Sequence, residues 1–115
     1  MFELVWLQIA NHKYEELEAA AKRSLDNRLK NKKAKASPVE GIFKQVDKCL
    51  EFLRTNPRHP GLRTHEFSSL THPYDPKQKI FEAYAQNQTP SAYRVFWCYG
   101  PGKNQITIIA ISPHP

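Results

Sequence analysis

Seven residues on or beside predicted strands carry groups that can bind a phosphodiester and move protons: Arg63, His65, Glu66, Glu82, Tyr84, Arg94 and His114. An arginine neutralises charge developing on phosphorus, and a histidine or glutamate acts as base or acid. With a ribose 2′-hydroxyl as internal nucleophile, such a set requires neither a metal nor a cofactor. Arg94 stands out as the lone charge in the run from Tyr93 to Tyr99. A plainer alternative is a structural Arg94–Glu82 pair across the sheet, with His114 a surface residue. Other chemistries have less support. The five histidines lack metal-ligand spacing. Four dispersed glycines form no phosphate-cradling loop. No serine or cysteine has an evident partner base.

Strands and helices must position these groups. Tyr93, Val95, Trp97 and Tyr99 share one parity, Arg94, Phe96 and Cys98 the other. Gly100 to Asn104 breaks the run, and Gln105 to Ile111 resumes it with four isoleucines. This pattern predicts a hairpin in the middle of a sheet. Phe2 to Ile9 reads as an N-terminal strand. Tyr14, Leu17, Ala21, Leu25 and Leu29 then mark an amphipathic helix over Asn11–Lys32, with Asn11 as N-cap. Ser37-Pro38-Val39-Glu40 has the form of a capping box and opens a second helix, Pro38–Thr55. Asn56 to Leu62 is a proline-rich, folded-back loop. Strands are expected over Leu62–Leu70 and Ile80–Ala85, separated by a polar loop from Thr71 to Lys79. The expected order is β-α-α-β-β-β-β, an α+β domain spanning 1–115. Its helical hairpin packs on a twisted, mainly antiparallel sheet of four to five strands.

The 115 residues include 17 Lys/Arg against 11 Asp/Glu, a formal charge of +6. That balance favours an anionic partner such as RNA, DNA or an acidic protein segment. Lys32, Lys33 and Lys35 concentrate it between the two helices, as a phosphate-touching patch or simply a solvated connection. Two cysteines with apolar neighbours read as buried thiols. Neither a signal peptide nor an apolar run of membrane-spanning length is present, so the expected location is the cytoplasm, without membrane association.

The two-helix N-terminal half, YRVFWCY, a short turn, ITIIAI and a nearly terminal histidine resemble the RelE/ParE toxin superfamily of bacterial toxin–antitoxin systems. The segments NPRHPGL, THEF and FEAYAQNQTPSAYRVFW look like those of a distinct RelE-like subgroup. The resemblance implies a compact microbial-RNase-like fold. It also implies a cognate antitoxin, and either ribosome-dependent mRNA cleavage or, for ParE-like members, inhibition of DNA gyrase. A non-catalytic or homodimeric RelE-like protein is the further alternative. Carried over by position, Arg94 matches the arginine of the family's YR strand and His114 its C-terminal His or Tyr region. Glu82 or His65 would serve as base. Arg63, Arg58, Lys32, Lys33 and Lys35 would contact RNA phosphates. Glu82 and Tyr84 stand where family members often carry arginines.

Overall fold

The computed structural model describes residues 1–87, 89 and 91–113. Strand β1 (Glu3–Trp6) leads into helices α1 (Gln8–Lys30) and α2 (Pro38–Thr55). A 3₁₀ turn at Pro60–Leu62 precedes β2 (His65–Glu66), β3 (Phe81–Tyr84), β4 (Tyr93–Tyr99) and β5 (Gln105–Pro113). The five strands form one sheet in the order β1-β5-β4-β3-β2. β1 runs parallel to β5, and the remaining pairs are antiparallel. The α+β architecture expected from the residue pattern is the one observed.

Burial on both faces explains why β4 and β5 are apolar at both parities. Ala83, Val95, Trp97, Ile106, Ile108 and Ile111 pack with Leu17, Val46, Cys49, Leu50 and Leu53 of the helices. On the opposite face Cys98, Ile80 and Ile109 form a smaller cluster with Phe67, Phe96 and Ala110. The loop between β2 and β3 covers that second face at one end. There His72 Nδ1 accepts from the backbone N–H groups of Tyr74 and Asp75 at 3.1 Å each. The other ring nitrogen therefore carries the proton that bonds the Tyr99 carbonyl, also at 3.1 Å. Tyr74 and Thr107 bond through their hydroxyls at 2.9 Å, and Thr107 donates to the Gly100 carbonyl at 2.9 Å. Gly100 itself has φ 109°, a conformation that glycine adopts without Cβ strain.

Several boundaries differ from those expected. β1 stops at Trp6 and α1 begins at Gln8, so Asn11 lies inside the helix and bonds Glu15 instead of capping it. Tertiary demand accounts for this, because Ala10 is fully buried in the core and belongs to the helical face. α2 starts where expected, but the capping box does not form. Ser37 Oγ bonds Ser24 Oγ at 2.7 Å, and no side-chain cap is made. Glu40 turns towards α1, accepting from Ser24 Oγ at 2.6 Å and from Arg28 Nη2 at 2.7 Å. The strand expected over Leu62–Leu70 contracts to two residues. The 3₁₀ turn and a left-handed Arg63 (φ 48°) occupy its start, and beyond Glu66 a single further bond, from the Phe67 N–H to the Ile80 carbonyl at 2.8 Å, ends the pairing as Phe67 packs on Phe96.

Hydrogen bonds from Arg28, then from Ser24, hold the Glu40 carboxyl down at about 2. An unfolded glutamate titrates near ~4.3, so this contribution to stability is complete above that value and is lost as pH falls towards the folded pKa. Urea unfolding of wild type and Glu40→Gln should show the variant less stable at neutral pH. The gap should close as the solution is acidified from roughly 4.5 to 2.5. A gap of constant size across that window would refute the clamp.

Candidate active site

The candidate site lies on the face of the sheet away from the helices, beyond the end covered by His72 and Tyr74. β3 presents Glu82 and Tyr84 there, since Ala83 of opposite parity belongs to the helix-side core. Register does the rest. His65 of β2 pairs with Glu82, and Arg94 of β4 pairs with Tyr84, which makes Arg94 the diagonal neighbour of Glu82.

The Glu82 carboxylate, only 5% exposed, is held from both sides. His65 Nε2 lies 2.6 Å from Oε1 and Arg94 Nη1 lies 3.1 Å from Oε2. His65 is half exposed at 50%, while Arg94 is only 14% exposed. Tyr84 supplies the floor. The Arg94 guanidinium carbon stands 4.2 Å from its ring centroid, and the His65 ring meets Tyr84 edge-on at 5.6 Å. His65 Nδ1 points to the Arg63 carbonyl at 3.3 Å, a long contact. Arg94 Nε is buried with no hydrogen-bond partner among the described residues. The arrangement offers a fixed cation, a histidine oriented by a carboxylate, and an aromatic platform. Those parts suit anion binding and proton transfer at a phosphodiester.

Three of the expected site residues, Arg94, Glu82 and His65, are thus brought together. His114 lies outside the described residues. Arg63 and Arg58 sit at the 3₁₀ turn, on the walls of a separate cleft. Lys32, Lys33 and Lys35 occupy the α1–α2 connection in the helix layer, and no hydrogen bond or ion pair joins them to the Glu82 cluster. Glu66 faces away and pairs with Lys79 at 2.8 Å. Tyr84 is the residue that chemistry alone underrates. Its period-two relation to Glu82 was the available signal. Burial raises the thiols of Cys49, to about 12, and Cys98, to about 11, which argues against a thiolate nucleophile. Among the described residues, no group of three or more His, Cys, Asp and Glu could hold a metal ion, and no helix is long and apolar enough to cross a membrane.

A YoeB/ParE toxin from Agrobacterium tumefaciens superposes with a TM-score of 0.63, covering 99% of this chain and 100% of its own. The fold is of the RelE/ParE toxin type. Sequence identity is only 10%, so the likeness is one of architecture. No protein-family model matches the sequence, and no curated protein matches it. This fold carries, on the sheet face away from the helices, the arginine, carboxylate and histidine cluster described above.

Removing one partner of a buried ion pair strands the other charge, at a cost of about 3 kcal/mol or more. Arg94→Ala should therefore destabilise the fold by about that amount, whereas Arg94→Ala combined with Glu82→Gln should recover part of the loss. Denaturant unfolding at neutral pH measures both. Equal stability of Arg94→Ala and wild type would show that the carboxylate does not need the guanidinium.

Proposed function

We propose that this chain is a toxin of RelE-like type that cleaves mRNA on the ribosome, in the cytoplasm and without a metal ion, and is held in check by a cognate antitoxin. The observation carrying this reading is the Glu82-centred cluster on the face of the sheet away from the helices in a RelE/ParE-type fold. Both Glu82 oxygens are engaged, which favours a positioning role over that of base. By accepting from Nε2–H, Glu82 orients the ring and leaves Nδ1 as the site of proton exchange, free to act as base when substrate displaces the long contact to Arg63 and the Nδ1 proton has passed to solvent. His65 then takes the 2′-hydroxyl proton. The 2′-oxygen attacks phosphorus, the bond to the 5′-oxygen breaks, and a 2′,3′-cyclic phosphate and a 5′-hydroxyl result. Arg94, steadied on Tyr84, stabilises the charge gathering on the phosphoryl oxygens. His114 follows Pro113, the last residue of β5, and is assigned the proton for the leaving 5′-oxygen.

An antitoxin finds support in the basic C-terminal half of α1. Leu25 and Leu29 are exposed there amid Lys22, Arg23, Lys30 and the lysines of the following connection, while Arg28 is engaged by Glu40. Such a surface suits an acidic segment with its own apolar positions. Lys32, Lys33 and Lys35 contribute to that surface under this reading.

Induction of wild type, Arg94→Ala, His65→Ala and His114→Ala in cells, with translation, mRNA 5′ ends and DNA supercoiling followed, tests the proposal. Wild type should arrest translation with ribosome-dependent cuts, and each variant should reduce cutting by roughly a hundredfold or more. Intact mRNA with impaired supercoiling would select the gyrase reading instead. Harmless expression of all four folded proteins would leave a non-catalytic RelE-like protein, monomeric or homodimeric.

A further inference from the structure

Around the β2 edge from the Glu82 cluster, a cleft of about 460 Å³ opens on the helix side of the sheet. Its walls include Arg58, Arg63, Thr64, Phe81, Trp97 and Tyr99. Phe81 and Tyr99 present ring surface to the cleft, and the buried Trp97 lies against both, its centroid 4.9 Å from that of Phe81 and 5.0 Å from that of Tyr99. Tyr99 is partly exposed, and both arginines are exposed. Neither arginine has an ion-pair partner among the described residues, in contrast to Arg28, Arg54 and Arg94. Trp97 is almost wholly buried, yet its indole N–H, like the Thr64 hydroxyl, lacks a hydrogen-bond partner among the described residues. Buried polar groups are normally paired, so both are notable in the wall of one cleft.

Three consecutive residues join this cleft to the cluster. Arg63 and Thr64 line the cleft, and His65 pairs with Glu82. The left-handed backbone of Arg63 makes the bend between them, a conformation that costs a non-glycine residue strain. Aromatic faces with unpaired guanidinium groups at the rim are the chemistry that recognises a nucleotide, a flat ring beside a phosphate. The volume lies within the ~300–1,000 Å³ typical of small-molecule pockets.

We infer that this cleft is a nucleotide subsite, holding one unpaired base against its aromatic surface and that nucleotide's phosphate at Arg58 and Arg63. Resting on the RNA-cleaving reading above, it adds a path for the substrate. Single-stranded RNA rounds the β2 edge, with one nucleotide in the cleft and a neighbouring phosphodiester at His65 and Arg94. Duplex RNA, whose bases are stacked, does not fit that path.

Titration of the full chain with each of AMP, GMP, CMP and UMP, followed by the indole N–H resonances, tests the subsite. Trp6 lies on the opposite edge strand and serves as internal reference. Saturable shifts of the Trp97 resonance are expected, with inorganic phosphate alone and uridine alone binding more weakly. Arg58→Gln with Arg63→Gln should raise the dissociation constant by about tenfold or more. The charge-matched control Lys44→Gln with Lys77→Gln, two exposed lysines that do not line the cleft, should leave it within about twofold. Absence of a saturable Trp97 shift up to about 10 mM nucleotide, a constant unaltered by the arginine pair, or phosphate binding as tightly as nucleotide would each overturn the subsite. Nucleotide binding in a protein that cuts no RNA would support the subsite while removing the cleavage reading. Cleavage without nucleotide binding would do the reverse.

Discussion

A carboxylate withdrawn from water on a sheet face needs hydrogen-bond donors at its oxygens and a cation nearby. Glu82 imposes that condition, and three strands meet it together. The β2–β3 ladder is two residue pairs long, too short to fix itself by backbone bonds alone, but it sets His65 directly opposite Glu82. The β3–β4 ladder sets Arg94 one diagonal step away. Slipping either ladder by one residue would turn these side chains to the helix side and leave the charge alone. Electrostatics and strand register therefore enforce one another.

The two faces of the sheet divide the remaining work. Helices α1 and α2 cover one face with the main apolar core, and their own alignment is fixed by polar clamps at both ends: Glu40 with Ser24 and Arg28, and Tyr14 with Asp47. On the other face the β2–β3 loop packs Phe67 on Phe96 and anchors His72 beneath Tyr99. At the end bearing Glu82 and Arg94, His65 is left half exposed. Desolvation from below and access from above are what a pre-organised ionic site requires, since its charges interact strongly yet remain within reach of a substrate.

Periodicity made the helices and the β4–β5 hairpin legible, because both depend on which side chains are apolar. α2 is found with the expected bounds, its first turn fixed by Pro38. Local capping chemistry was a poorer guide. Asn11 and the Ser37–Glu40 pair have the right residue types for helix starts, but each side chain found a better partner in three dimensions. β2 was overextended for a similar reason, as the alternation from Leu62 onward describes residues that serve a 3₁₀ turn, a left-handed bend and a covering loop. In the candidate site, residue chemistry alone brought Arg94, Glu82 and His65 into consideration. It did not reveal that Glu82 would be saturated by the other two, or that Tyr84 would lie beneath the guanidinium. Those facts reside in the register between strands, which period-two patterns leave open.

The parallel pairing of β1 with β5 joins residues near 3 to residues near 105, and β5 lies between β1 and β4. During synthesis the helical hairpin can gather early from local contacts, but the sheet has no centre until the final strand arrives. The N-terminal strand must wait, unpaired, for almost the entire chain. A nascent polypeptide short of residue 105 thus lacks the strand against which β4 is braced and so the rigid seat of Arg94. Topology makes the Glu82 cluster one of the last features of the fold to be completed.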